Sequence, residues 1–243
     1  MPKYKLFCLP HAGGSASAYA KWKPLFLPRM EVVPVELAGR GARLKEKLNR
    51  SMEHAVFDIY EQIQGQVDEG PYAILGHSMG SLLAFELLHQ LSARGHRLPQ
   101  LAVFSGSNPP HRPVGKRRHL LSDEELREEL LLFGGTPEEL LLHEELLEII
   151  MPIIRADFQI VETYRPQNTS VAFDCDFLVL QGKADLFTSA KQAGEWGRYT
   201  RRLCHLEPFP GGHFILFEHE EEIARLILQK MEAKTRALFL HPH

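Results

Sequence analysis

The chain has 243 residues, 44% hydrophobic and 24% charged, with a formal net charge of −3. These values are ordinary for a soluble α/β protein able to bury a substantial core. So slight a charge gives no electrostatic case for a nucleic-acid partner. With no run of about 18 apolar residues, no membrane association is expected.

Tyr4–Leu9 reads as a strand entered at once from the N-terminus, without signal-peptide shape, and Pro10-His-Ala-Gly-Gly-Ser15 breaks it with a turn. Cys8, Cys175 and Cys204 are far apart and lack metal-ligand spacing. They read as buried thiols in a reducing compartment, which predicts a cytoplasmic protein with no metal. Glu31–Leu37 is a second strand, with Pro34 placing it at an edge. Ala38–Arg43 is a loop, and Ser51 with His54 to Val67 predicts a helix carrying Ala55, Ile59, Ile63 and Val67 on one stripe.

Tyr72-Ala-Ile-Leu then runs into Gly76-His-Ser-Met-Gly80, followed by the apolar segment Ser81–Leu88. A G-x-S-x-G alone also marks a plain flexible turn. Between a strand and a helix it is the context of a nucleophile elbow, where Ser78 sits on a strained turn with its hydroxyl lifted from the sheet. The helix runs to Arg94 and stops at Gly95. Leu101–Ser105, Phe177–Gly182 and Cys204–Phe209 complete the strands, and a terminal amphipathic helix spans 218–235. The alternation predicts an α/β fold: a mostly parallel central sheet flanked by helices, residues 1–243 forming one domain.

Residues 108–170 interrupt the alternation with a helical insertion. Ser122-Asp-Glu-Glu125 and Thr136-Pro-Glu-Glu139 fit capping boxes, and Pro152 is expected to begin a third helix through Tyr164. The segment is either an ordinary crossover or a lid over the site; its length favours the lid. Leu130, Leu131, Phe133, Leu141 and Leu147 exceed what one docking face needs. Some therefore line an acyl channel or all pack lid on core, and Phe133 and Leu130 are the candidate substrate contacts.

A serine hydroxyl needs a base, itself oriented by an acid. His213 follows Gly211-Gly212 directly after the final strand, whereas His205 lies in a strand, His219 at a helix start, and His241 and His243 in the tail. Asp185 follows the preceding strand; Asp174 and Asp176 precede it and fall at the wrong end of the sheet. The developing oxyanion needs two fixed donors. One is the Met79 N–H, and the other comes from the loop His11–Ser15.

Pro10-His-Ala-Gly-Gly-Ser15, Glu36-Leu-Ala-Gly-Arg-Gly41, Gly76-His-Ser-Met-Gly80, Arg155-Ala-Asp157 and Gly211-Gly-His-Phe214 stand in this order across essentially the whole chain. Together they resemble the type II thioesterases that accompany nonribosomal peptide and polyketide synthetases. The resemblance implies an α/β-hydrolase fold with a helical lid, Ser78, Asp185 and His213 as a triad, and the Ala12 and Met79 N–H groups as the oxyanion hole. It also implies that acyl- or peptidyl-carrier domains bearing phosphopantetheine are the partners, that aberrant acyl groups are removed without a cofactor, and that the protein is a monomer. Two positions depart from the pattern: Ala38 stands where the loop usually has proline, and Ala184 where a second aspartate is common. Medium-chain fatty acyl-carrier hydrolysis, general esterase activity and a non-catalytic carrier-binding scaffold are the rival readings. Carrier domains present an acidic helix, so Arg112, Lys116, Arg117 and Arg118 form the candidate basic contact.

Overall fold

The computed structural model describes residues 4–112, 115–133 and 143–240, apart from the side chains of Phe133 and residues 235–240. Six strands form one all-parallel sheet: β1 (Tyr4–Leu9), β2 (Met30–Pro34), β3 (Tyr72–His77), β4 (Leu101–Ser105), β5 (Asp176–Gly182) and β6 (Cys204–Phe209), in the order β2-β1-β3-β4-β5-β6. Alternate residues of each strand face opposite layers, so Phe7, Leu9, Ile74, Phe104 and Val179 join one core while Leu6, Cys8, Leu75, Val103 and Leu180 join the other. Pro34, which has no N–H to give a ladder, closes the edge strand β2.

The first core is covered by α2 (Met52–Ile63) and α3 (Met79–Ala93), the second by α1 (Trp22–Phe26), α7 (Ile215–Glu218) and α8 (Glu220–Leu240). Ser51 caps α2 by accepting the His54 N–H. The helix ends at Ile63, earlier than the apolar stripe indicates, because Gly65 follows; Val67 is still buried in the ensuing turn. Gly95, at φ +76°, ends α3 with paired bonds from Gly95 N to Ser92 O and from His96 N to Leu91 O, the Schellman arrangement.

Between β4 and β5 lie α4 (Asp123–Phe133) and α5 (Glu144–Thr163); a short helix α6 (Ala190–Ala193) follows β5. The capping box at Ser122 is present in both halves: Ser122 N–H donates to Glu125 Oε2 at 2.9 Å and Glu125 N–H to Ser122 Oγ at 3.2 Å. The second box, at Thr136, and Leu141 lie outside the described residues. Pro152 does not begin a helix; it sits inside α5. An interior proline costs about 3 kcal/mol. Met151, Ile154 and Phe158 nevertheless continue one apolar stripe through it and pack with Leu126 and Leu130 of α4. Burying such side chains contributes roughly 1.5–3 kcal/mol each, enough to keep the helix whole.

The C-terminal ends of the strands share one edge of the sheet. β2 lies to one side of β1 and the chain then continues from β3 to the other side. That topological switch between β1 and β3 opens a crevice, and the loops after β1 and β3 border it.

Candidate active site

Ser78 leaves β3 with φ 53° and ψ −114°. Among the described residues it is the one non-glycine with positive φ. The turn is tight enough to need its glycines: a Cβ on Gly76 would lie 2.0 Å from the Gly80 carbonyl oxygen, and one on Gly80 would lie 2.3 Å from the Leu9 carbonyl oxygen. Ser78 occupies the N-cap of α3, yet its hydroxyl makes no capping bond. The backbone is pinned instead, Ser78 N–H donating to the Ser105 carbonyl at 2.7 Å. Buried Ser81 braces the same corner: its Oγ lies 2.9 Å from Gly76 O and 3.1 Å from Ser105 O, and accepts the Ser105 N–H at 3.1 Å.

Asp185 follows β5 and His213 follows β6; both side chains are buried. His213 Nδ1–H donates to Asp185 Oδ2 at 3.0 Å. The same oxygen accepts the Thr188 hydroxyl at 2.8 Å, and Oδ1 accepts the Phe187 N–H at 2.8 Å. Burial works to raise the Asp185 carboxyl, but His213, the Phe187 N–H and Thr188 together outweigh it and hold it below the usual aspartate value. An ionised acceptor at Nδ1 fixes the tautomer, so the neutral imidazole carries its lone pair at Nε2. Asp174 and Asp176 are occupied elsewhere, with Arg202 and Lys234 respectively.

Ser78, His213, Ala12 and Met79 line one cavity of about 620 Å³, the size of a small-molecule site. Leu82, Phe158, Val161, Leu186 and Phe187 supply apolar lining. Phe158 and Val161 come from α5. Leu130 is not among the lining residues: it is buried between α4 and α5 with Leu126, Met151 and Ile154. The Phe133 side chain lies outside the described residues, and Leu131 is exposed.

Arg112, Lys116, Arg118 and Arg165 also line the cavity. Most of this charge is already matched. Arg112 pairs with Glu195, and Lys116 and Arg118 share Glu129. Arg118 is buried, lying over the rings of Phe158 and Phe187. Arg165 donates to the Tyr164 carbonyl at 2.6 Å. The basic run is therefore a structural network more than a free patch, with Arg117 exposed.

Behind Ser78, the rings of His11, His77 and His213 form a chain with centroids 5.7 and 5.3 Å apart. Gly106, at φ +60°, makes room for it: a Cβ there would meet His77 Cε1 at 2.9 Å and His213 Cε1 at 3.3 Å. Burial first, then the neighbouring His213 and Arg40 charges, lowers His11 to about 4. His77 is driven well below the ordinary histidine value, again chiefly by burial.

The loop carrying Ala12 is held by residues whose motifs the sequence displays without revealing their task. Gly13 N–H donates to Asp157 Oδ2 at 2.8 Å. Arg40 binds both carboxylate oxygens of Asp157, at 2.6 and 2.7 Å, and also donates to the Gly14 carbonyl at 3.1 Å. Arg155 donates to the His119 and Leu121 carbonyls at 3.0 and 2.6 Å and to Asp123 at 2.5 Å, fastening the insertion to itself. The sequence shows Thr188 only as a hydroxyl three residues beyond Asp185, and Ser81 only as the polar residue of the apolar stretch Met79–Phe85.

Residues 4–231 match the family model described as the thioesterase domain. Gramicidin S biosynthesis protein GrsT of Aneurinibacillus migulanus is 34% identical over 230 residues, 94% of this chain and 89% of that protein. The human medium-chain S-acyl fatty acid synthase thioesterase is 31% identical, covering 97% of this chain and 90% of its own. The solved structure of the type II thioesterase BorB from the borrelidin biosynthetic cluster superposes with a TM-score of 0.86 at 34% identity, covering 95% of each chain. With its parallel sheet, nucleophile-elbow geometry and these relatives, the chain has the α/β-hydrolase fold and belongs to the thioesterase domain family.

Proposed function

We propose that the protein is a stand-alone serine thioesterase that hydrolyses acyl thioesters from the phosphopantetheine arm of carrier domains, clearing aberrant acyl groups from a nonribosomal peptide or polyketide synthetase. The observation that carries this is that Ser78, on its positive-φ turn, and His213, bonded to Asp185, line one cavity. Ser78 Oγ attacks the thioester carbonyl while His213 Nε2 takes its proton. The tetrahedral oxyanion is stabilised by the N–H groups of Met79 and Ala12. His213 then protonates the departing sulfur, and afterwards deprotonates the water that releases the acid from acyl-Ser78. A thiol leaves readily, so this machinery suffices for the reaction without a metal. The insertion at 108–170 acts as the lid, its α5 residues Phe158 and Val161 facing the acyl chain. The reaction takes place in the cytoplasm on a monomer, with carrier domains as the partners.

Medium-chain fatty acyl-carrier hydrolysis is the second reading, favoured by the 31% identity to the human medium-chain protein. The experiment is turnover of a panel of acyl-loaded carriers, from acetyl and aminoacyl groups to dodecanoyl. Broad hydrolysis of short and aminoacyl groups is expected; activity confined to medium-chain groups would select the second reading. Ser78→Ala should abolish turnover and fluorophosphonate labelling while the protein stays folded. Asp185→Asn should lower kcat by roughly 10⁴-fold, as the same loss of tautomer control does in serine proteases. Near-normal turnover in either variant would reject the assignment.

A further inference from the structure

The turn carrying Ala12 is held from outside the sheet. Gly14 N–H donates to the His11 carbonyl at 2.9 Å, closing a four-residue turn with Gly13 third at φ +77°. That is the signature of a type II turn, which differs from type I by a flip of the central peptide. The N–H of this central peptide belongs to Gly13, and it donates to Asp157 of α5. The last carbonyl of the turn, Gly14 O, accepts from Arg40, whose guanidinium is forked onto the same Asp157. Side-chain exposure is 4% for Arg40 and 0% for Asp157. Both charged groups are therefore shielded from water, and the turn, exposed at Gly13, is bonded to a fixed, buried pair. Apolar contact runs the same way: Ala12 packs on the α4–α5 cluster, and a Cβ on Gly13 would stand 2.7 Å from Ile154 of α5.

We infer that the Arg40–Asp157 pair is a positioning device for the reaction: the insertion, through Asp157, holds the turn that presents the Ala12 N–H to the oxyanion. This rests on the proposed role of Ala12 as an oxyanion donor. A pair that merely glued the insertion to the body would have no need to bond the turn's central N–H and its last carbonyl. Here both are bonded, so a shift of α5 and a misdirected oxyanion donor are one event. Because the donor matters most where negative charge develops, the loss should fall on kcat and leave KM nearly unchanged.

The test compares Asp157→Asn and Arg40→Lys with the unaltered protein by kinetics and by two ligands. One ligand is an alkyl trifluoromethyl ketone, which forms a tetrahedral adduct on Ser78; the other is the alkyl thioether of matching chain length, which has no carbonyl. In Asp157→Asn, kcat and ketone affinity should both fall roughly ten- to a hundredfold, less than the loss from removing a donor outright. KM and thioether affinity should stay within about twofold, since ground-state binding does not use the oxyanion donors. Arg40→Lys keeps the charge but cannot fork, and should show the same pattern more weakly; it decides the matter if Asp157→Asn does not fold. Unchanged kcat and ketone affinity, or equal losses for both ligands, would overturn the inference. Such a result alongside an inactive Ser78→Ala would leave the proposed reaction standing, whereas an active Ser78→Ala would remove both.

Discussion

At the scale of single residues, the acid of the site is the group held by the most partners. Asp185 accepts from His213, Thr188 and Phe187 at once, so its carboxylate is held in place before substrate arrives. Hydrogen bonds to a charged group contribute about 1.5–3 kcal/mol. Thr188→Val should therefore lower the urea-unfolding free energy by about that amount at pH 7 and reduce kcat several-fold, with Thr188→Ser restoring both. A variant with unaltered stability and rate would show that two donors suffice. That Ser78, Asp185 and His213 each follow a strand was readable in the sequence, and the order of strands limits which loops meet. Arg40 and Asp157 were not readable as site residues. Their relevance depends on contacts such as the one across 117 positions between Arg40 and Asp157, and no local pattern encodes so distant a pairing.

At the scale of elements, the strands were legible to within a residue or two, since apolar runs bounded by glycine and proline mark buried parallel strands. The exception is β2, read as Glu31–Leu37 and found as Met30–Pro34. The insertion was legible in part. The proline rule places a boundary at Pro152, but the stripe Met151, Ile154 and Phe158 buries against α4 and carries the helix through. The same packing moves the candidate acyl contact from α4 to α5. Leu130 faces α5, while Phe158 and Val161 reach the cavity. Phe158→Ala should enlarge the cavity and raise kcat/KM for longer acyl groups relative to short ones across the carrier panel. Leu130→Ala should instead cost about 2–5 kcal/mol of stability, the usual range for a buried leucine, and leave the length profile alone. A length shift in Leu130→Ala with none in Phe158→Ala would reverse the roles of the two helices.

At the scale of the whole molecule, the buried histidines tie stability to pH. His11 is lowered to about 4, and His77 well below its ordinary value, mainly because burial penalises the charged ring. His89 is lowered for the same reason. Unfolding returns each to its ordinary value of about 6.5. Between about pH 6.5 and 4 the unfolded chain thus binds protons that the folded chain refuses, and stability rises with pH across that window. The contribution is complete above about pH 6.5 and is lost as the pH falls. Each such proton is worth about 1.4 kcal/mol per pH unit. The depressed carboxylates act in the same direction at lower pH. Glu195, held near 2 by Arg112 and His111 against the opposing effect of desolvation, loses its contribution only as the pH falls below the ordinary glutamate range. Urea midpoints should therefore be flat from pH 8 to 7 and drop steeply from pH 6.5 to 5, before most carboxylates titrate. Replacing His11 by Gln removes one of the protons, so the slope over that window should fall by about 1.4 kcal/mol per pH unit. Ion pairs at the surface add little to this slope, because screening by solvent leaves them worth about 0–1 kcal/mol. If the His11→Gln slope matches that of the unaltered chain, the ring takes up its proton while folded and the acid sensitivity lies elsewhere.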